Sequence, residues 1–368
     1  MNNSNSIISV EDIKVELGGV SVLDIPSFCL NSKEFVSLIG PNGSGKSTFL
    51  LVLNCLLKPV SGRISYRGND ILSRDDVIRF RRRISMVFQE PLLFDTTVYK
   101  NVASGLNIRG VKRAEIHERV MRYLKWFNIE HLAHRSARKL SGGESQRTSL
   151  ARAFAIEPEV IFLDEPFSAL DPPTRHAITD DLETIVRQTG ITTVMVTHDQ
   201  SEALRMSDRI AVMNVGKIVQ TGVPSLVMNN PVNEFVANFV GMDTILEGRV
   251  EEALDGMVTV SVAGREIEAV GRLQPGDKAY CCIRPENVAI ELRDPDDLTT
   301  ARNVFPAKIV DIDSMGPFLK VTLDCGFPLV SFVTREAFAS LGLDEGKPVF
   351  ATFKATAVHL IQGSEQKF

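Results

Sequence analysis

No stretch of the sequence approaches the roughly 20 consecutive apolar residues that a bilayer-spanning helix needs. Any action on a membrane is therefore expected to run through a partner. The first residues, Met1-Asn2-Asn3-Ser4-Asn5-Ser6, carry neither the basic start nor the apolar centre of a secretory signal. Cysteine is scarce: five residues, at positions 29, 55, 281, 282 and 325, with no C-x₂-C pair. That argues against a zinc site or a disulfide framework and for reduced packing thiols in the cytosol. Cys281 and Cys282 are neighbours, and on a strand they would face opposite ways rather than share a ligand. Excess charge is small, −5 from 41 Lys+Arg and 46 Asp+Glu, which gives no broad attraction for nucleic acid. The one dense basic run, Arg79, Arg81, Arg82 and Arg83, precedes the apolar residues 84–88 and reads as a solvated helix end.

What is present is a globular composition, 44% hydrophobic and 24% charged over 368 residues, a length that suggests about two or three domains. From residue 7 to 240 short Val/Ile/Leu/Phe runs alternate with longer helical stretches, an α/β pattern. Residues 160–163 and 192–197 read as parallel strands buried on both faces. Ligand sites of such sheets lie beyond the carboxyl ends of the strands, so the residues just past each strand are candidates. Between 98 and 140 the pattern is helical: Ile116, Val120, Leu124 and Phe127 make one apolar face, with Tyr123 and Trp126 read as packing. After residue 243 short alternating strands and Gly/Pro turns suggest a small all-β unit, two similar barrels in tandem joined by the polar link 293–297.

Gly40-Pro41-Asn42-Gly43-Ser44-Gly45-Lys46-Ser47 is a complete phosphate-binding loop, with Thr48 next in the chain. It sits between an expected strand, residues 35–39, and an expected helix, residues 49–57. The glycines let N–H groups curl around phosphate oxygens, Lys46 reaches the terminal phosphates, and Ser47 offers a hydroxyl to Mg²⁺. The helix opening there adds its positive end. This much points to ATP or GTP and leaves the purpose of the nucleotide open. Ser141 and Glu144 form an S-x-x-E capping box, yet Gly142 and Gly143 in the first turn each cost about 1 kcal/mol against alanine. They make sense if a phosphate approaches the backbone. Asp164 and Glu165 end a strand and divide naturally into a Mg²⁺ ligand and a base for the attacking water. His198 and Gln89 also end strands. Each alone reads more readily as structural, although an amide such as Gln89 is able to coordinate Mg²⁺.

Taken in chain order, these pieces resemble the nucleotide-binding subunits of ATP-binding-cassette (ABC) transporters. Residues 40–47 match the Walker A loop, Gln89 the Q-loop, and 140–144 the signature motif. Residues 160–164 match Walker B, Glu165 the catalytic glutamate, 168–171 with Asp171 the D-loop, and His198 the switch histidine. The resemblance implies a P-loop NTPase domain, residues 7–240, with a helical subdomain at about 90–158. It implies ATP and Mg²⁺ as cofactors, with Ser47, Gln89 and Asp164 at the metal. It also implies a homodimer in which each ATP lies between residues 40–47 of one copy and Ser141, Gly142, Gly143 and Glu144 of the other. Further implied partners are transmembrane permease subunits, contacted around Gln89 and Phe94, and an extracytoplasmic substrate-binding protein. The chain would sit at the cytoplasmic face of the membrane. Leu17 departs from the pattern, since many relatives carry an adenine-stacking aromatic before the pair Gly18-Gly19.

Residues 243–363 resemble the OB-like transport-associated (TOBE) domain of ABC import ATPases, with Ile283-Arg284-Pro285-Glu286 as its recurring segment. The second half, about 300–363, is similar to the molybdate-binding (molbindin-like) type. That resemblance, with residues 94–102 and 241–248, implies uptake of an oxyanion, tungstate or molybdate. Arg302, Thr334 and Lys354 are the candidate oxyanion ligands, since a dianion needs cationic and hydroxyl donors. The alternative keeps the barrel for dimer contacts alone. Rival functions are an importer of sulfate, iron, a polyamine or a sugar, and a soluble ABC ATPase of DNA repair or translation. A small-molecule kinase would leave residues 140–144 without a reason.

Overall fold

The computed structural model describes residues 5–293 and 299–363, so most of the polar link expected at 293–297 lies outside the described residues. The chain divides into two compact units, residues 1–224 and 225–368. In the first, β1 (Ser6–Leu17) and β2 (Val20–Asn31) form a long hairpin, and β3 (Phe35–Ile39) leads through the phosphate loop into α1 (Lys46–Leu53). Next along the chain are β4 (Ser61–Tyr66), β5 (Asn69–Asp70), α2 (Arg74–Arg81) and β6 (Ile84–Val87). The helices α3 (Val98–Ile108), α4 (Arg113–Trp126) and α5 (Gly142–Ala155) come after them. Then β7 (Val160–Asp164), α6 (Pro172–Thr189), β8 (Thr192–Val196), α7 (Gln200–Met206), β9 (Arg209–Asn214) and β10 (Lys217–Gly222) complete the unit.

A six-stranded sheet ordered β10-β9-β3-β8-β7-β6 is parallel apart from its β10–β9 hairpin. Its strands are buried on both faces, as continuous apolar runs require. Val36, Leu38, Val160, Phe162, Val194 and Val196 pack with α1 and with the antiparallel sheet β2-β1-β4-β5. The alternate residues Phe35, Ile161, Leu163 and Met195 face the core shared with α3, α4 and α5. There Tyr123 meets Trp126 edge-on with ring centroids 5.0 Å apart, and Phe127 meets Phe154 at 5.6 Å, so both Tyr123 and Trp126 are packing residues. The basic run does end a helix: Arg79 and Arg81 occupy the last turn of α2. The helix after the phosphate loop is shifted from the expected 49–57. It starts inside the loop at Lys46 and stops at Leu53, because Cys55 takes a left-handed φ of 55°.

The second unit begins earlier than the expected boundary at 243. After α8 (Pro224–Asn229), whose first residue closes the first unit, α9 (Glu234–Phe239) belongs with the β structure. Arg284 donates to the carbonyls of Val240 (3.0 Å) and Met228 (2.5 Å), and His359 Nε2 donates to that of Pro231 (2.9 Å). Polar ties of this kind fasten the segment to the strands.

Those strands are β11 (Thr244–Leu254), β12 (Met257–Val262), β13 (Arg265–Val270), β14 (Lys278–Ile283) and β15 (Ala289–Glu291). After them come β16 (Asn303–Met315), β17 (Phe318–Asp324), β18 (Pro328–Thr334), α10 (Arg335–Leu341), β19 (Pro348–Phe353) and β20 (Val358–Gln362). The sheets run β13-β12-β11-β14-β20 and β15-β19-β16-β17-β18. Two similar halves are therefore present, but they are not consecutive barrels. Each half gives its last strand to the other, and the two exchanges are alike. Arg284 opens a 3₁₀ turn at Pro285–Asn287 before β15, and Lys354 opens one at Ala355–Ala357 before β20. Cys281 and Cys282 are both buried, Cys281 in the core between the strands, and burial pushes both thiols up to about 12.

Gly248 lies where β11 presses on β12. A Cβ there would stand 2.5 Å from the Ser261 carbonyl oxygen and 2.6 Å from Val260 Cγ1. Gly248→Ala is expected to destabilise this unit by about 1–3 kcal/mol through overpacking. Thiol labelling in rising denaturant reads the effect. Cys281, Cys282 and Cys325 should become reactive at lower denaturant, while Cys29 and Cys55 of the first unit keep their profiles.

Candidate functional site

The carboxyl ends of the parallel strands carry the site. Between β3 and α1 the loop turns through glycines at left-handed φ: Gly43 at 80°, and Gly45, the N-cap of α1, at 98°. Gly40 admits no side chain, since a Cβ would stand 2.2 Å from the Met213 carbonyl oxygen. Pro41, Asn42 and Gly43 are exposed at the rim, whereas Ser44 and Lys46 are buried; Thr48 lies in the first turn of α1. Lys46 Nζ donates to the loop's own carbonyls, Gly40 at 2.8 Å and Pro41 at 2.9 Å. Burial lowers its pKa, against the pull of the Glu165 and Asp164 carboxylates. The buried Ser44 hydroxyl has no partner among the described residues. A lysine and an unpaired buried hydroxyl in a glycine-rich loop that opens a helix are a donor set suited to phosphate.

The register of the sheet brings the other groups alongside. Asp164 ends β7 opposite Val196 of β8 and accepts a hydrogen bond from the Ser47 hydroxyl at 2.9 Å. Burial raises the Asp164 carboxyl, opposed by Ser47 and Lys46 and reinforced by Glu165. A hydroxyl and a desolvated carboxylate next to a phosphate loop are oxygen donors that fit Mg²⁺.

Glu165 holds a left-handed φ of 43°, an uncommon and strained conformation for a residue with a side chain. Its N–H is tied to the Val196 carbonyl at 2.9 Å, and its Oε2 lies 3.2 Å from Nδ1 of the half-exposed His198. Gln89, just past β6, donates through Nε2 to the Ser168 hydroxyl at 3.2 Å. That hydroxyl donates in turn to the Glu165 carbonyl at 3.1 Å. Ser168 thus joins Gln89 to the strained glutamate, a role with no signal in the sequence beyond its place before Asp171.

Ser141–Glu144 do not join this group. Ser141 caps α5, its N–H donating to Glu144 Oε2 at 2.7 Å and its hydroxyl accepting from the Glu144 N–H at 3.3 Å. Together with Asp171, which caps α6, they line a cavity of about 830 Å³ that contains no residue of the phosphate loop. The two glycines there differ. Gly142 is open, with nothing within 4 Å of its Cβ position, whereas a Cβ on Gly143 would stand 2.6 Å from Thr174 Cγ2. Close packing on α6 thus accounts for Gly143 within one chain, and Gly142 alone has the open approach expected of both.

Past Gln89, Arg152 of α5 donates to the carbonyls of Leu92 (3.0 Å) and Pro91 (2.9 Å), with its guanidinium 5.8 Å from the ring centre of Phe94. Phe88, Leu92 and Phe94 stay exposed. Leu17, half-exposed, ends β1 at the turn through Gly18 and Gly19.

Two known families match along the chain: the ABC transporter family over residues 23–168 and the TOBE domain over residues 299–360. Over 96% of its length the chain is 35% identical to the molybdate/tungstate import ATP-binding protein WtpC of Pyrococcus abyssi, covering 99% of that protein. The chain belongs to the ATP-binding subunits of ABC import transporters. It is an ATPase coupled to transport, and it binds ATP. The spermidine/putrescine import ATP-binding protein PotA of Clostridium novyi is 38% identical over 79% of this chain and 82% of its own length. Among solved structures, cbiO1 from Clostridium perfringens, part of the transporter complex cbiONQ, aligns with a TM-score of 0.57 at 32% identity. The alignment covers 64% of this chain and 94% of cbiO1. The cassette MJ0796, a dimer bound to ADP and phosphate after hydrolysis, aligns with a TM-score of 0.55 at 30% identity, covering 59% of this chain and 99% of that one.

In the second unit, Arg302 and Lys354 line one cavity of about 760 Å³. Thr334 is not in its lining: it ends β18 and caps α10, accepting from the Ala337 N–H. Arg302 is held by both carboxylate oxygens of Glu268, at 2.9 and 3.2 Å, and Glu252 and Asp255 also line the cavity. The three candidate oxyanion ligands are not brought together.

Burial makes the ionised form of Asp164 unfavourable, so this carboxylate weakens the nucleotide-free fold at any pH above its raised folded pKa. Asp164→Asn is expected to raise the melting temperature of the nucleotide-free protein at pH 7–8. The gain should shrink as the pH falls through that raised value, where the parent carboxyl becomes protonated. Melting curves of the two proteins between pH 4.5 and 8 check this; a lower melting temperature for Asp164→Asn at pH 8 contradicts it.

Proposed function

We propose that this chain powers uptake of molybdate or tungstate as one of two identical ATPase subunits bound to membrane permease subunits at the cytoplasmic face. An extracytoplasmic protein would deliver the oxyanion. The observation that carries the substrate is the extent of the match to the molybdate/tungstate ATPase, which runs through the β unit to 96% of the chain. The polyamine ATPase match stops at 79%. The assignment of residues 7–240 to the ATPase domain and 243–363 to the transport-associated domain belongs to the same proposal, with 225–240 packed on the latter.

In this reading ATP lies on residues 40–48 of one copy. Lys46 exchanges its bonds to the Gly40 and Pro41 carbonyls for the terminal phosphates. Ser47, Asp164 and Gln89 would hold Mg²⁺, which neutralises charge on the β- and γ-phosphate oxygens when bound. Glu165 accepts the proton of the attacking water, and His198 steadies the Glu165 carboxylate from 3.2 Å. The cavity at Ser141, Gly142, Gly143, Glu144 and Asp171 receives the phosphates held by the second copy. That each half-site lacks the other's residues supports a site completed by pairing. ATP bound by both copies stabilises the closed pair, and its hydrolysis releases it. The exposed Phe88, Leu92 and Phe94 offer the permease an apolar contact beside Gln89. In the β unit, Arg302 is already matched by Glu268 in a cavity with further carboxylates. We therefore assign that unit to subunit contacts rather than to oxyanion sensing.

Glu165→Gln is expected to keep ATP affinity and accumulate a closed dimer while hydrolysis falls roughly 10²–10³-fold. Lys46→Ala should lose ATP binding itself. Size-exclusion chromatography with ATP and a turnover assay separate the two, and near-normal turnover of Glu165→Gln removes Glu165 from its role. Transport by the reconstituted complex in vesicles tests the substrate. Molybdate or tungstate should be taken up well ahead of sulfate and spermidine, and oxyanion preloaded on the ATPase side should leave the rate unchanged. Preferred uptake of spermidine overturns the substrate; inhibition by the preloaded oxyanion overturns the reading of the β unit.

A further inference from the structure

Arg175 connects two loops of the first unit that are separated in sequence. One turn into α6, its N–H donates to the Asp171 carbonyl at 2.9 Å. Its guanidinium reaches across to the residue after His198, with Nη1 3.4 Å from Asp199 Oδ2. The buried Nε has no partner among the described residues. Asp199 is firmly seated on its own side. Its Oδ1 accepts from the N–H groups of Ser201 (2.8 Å) and Glu202 (3.2 Å), and its N–H donates to Thr197 Oγ1 at 3.0 Å. The Thr197 hydroxyl donates to the buried carboxylate of Glu202 at 2.6 Å. His198 is thus held between two residues that are bonded to each other, and its ring faces Glu165.

We propose that Arg175 is a positioning residue for hydrolysis, fastening the loop that carries His198 to the helix that begins at Asp171, so that neither loop moves without the other. The guanidinium suits this role because its planar fork bonds a carboxylate in one orientation and stays charged throughout. At 3.4 Å, with Nε unpaired, only one of two available bonds is made, and it is long. A small approach of the loops would complete the fork and strengthen the link. The 18-residue α6 is a stiff lever on one side, and the Thr197–Glu202–Asp199 bonds make the other side a unit. Asp171 lines the cavity assigned above to the second copy's nucleotide. The strap therefore ties the histidine of one hydrolytic group to the loop that senses the other.

The inference rests on Glu165 and His198 being the hydrolytic groups. That is established or removed first by the turnover of Glu165→Gln in the full chain. Arg175→Ala should then lower kcat about tenfold, with ATP affinity within about twofold of the parent. Arg175→Lys, which keeps the cation, should recover about half of the lost rate. Asp199→Asn keeps an oxygen to cap α7 and should show the same loss in kcat. The double variant Arg175→Ala/Asp199→Asn should fall no further than the worse single change, because both remove one link. A kcat for Arg175→Ala within about twofold of the parent overturns the proposal, as does a double variant whose losses multiply. If Arg175→Ala does not fold, Arg175→Lys and Asp199→Asn with their double variant give the same comparison.

Discussion

The parallel register of β3, β6, β7 and β8 is the constraint on which the site depends. Leu38 lies beside Val196, Asp164 beside Val196, and Val87 beside Leu163. Four strands ending at one level deliver the phosphate loop, Gln89, Asp164 with Glu165, and His198 to a single edge, although 158 positions (198 − 40) separate the first from the last. A parallel strand shows no polar face, so its only outlet for chemistry is its end. The apolar layers on both faces, α1 with the antiparallel sheet on one and α3, α4 and α5 on the other, hold that edge still.

Against this rigid frame the site itself is unfavourable in places. Lys46 and Asp164 are pushed toward their neutral forms by burial, Ser44 keeps an unpaired hydroxyl, and Glu165 sits in a left-handed conformation. Each costs stability, and each makes sense where an anion and a cation are to be bound. The links Gln89–Ser168–Glu165 and Arg175–Asp199 show the same edge being held together by side chains rather than by strands. Such bonds are adjustable, as groups that respond to a nucleotide have to be.

The strands around the site are legible because continuous apolar runs bounded by polar residues have few other structures open to them. Residues 35–39 and 160–163 read as strands at or within one residue of their limits. The start of α1 is not legible: Lys46, Ser47 and Thr48 carry no apolar period, and the loop's glycines hide the helix that begins among them. The β unit reads as two halves in tandem. The exchange of β15 and β20 between the sheets stays hidden, since strands of three and five residues have the same pattern whichever neighbour they pair with. Residues 225–240 read as continuous with the first unit but fall in the second compact unit, for a similar reason: helical periodicity says that a face is buried, not against what.

The sequence by itself determined which chemistry is present. A glycine-rich loop with its lysine, adjacent carboxylates and a capping box enclosing two glycines each require particular residue types at short spacing, and short spacing is what a sequence displays. The tertiary structure decided which groups meet. It set Ser47 on Asp164, His198 on Glu165, Gln89 on Ser168 and Arg175 on Asp199, and it placed Arg302 against Glu268 and away from Thr334. Those pairings come from strand order and register, which depend on contacts between residues far apart in the chain and leave no local trace in it.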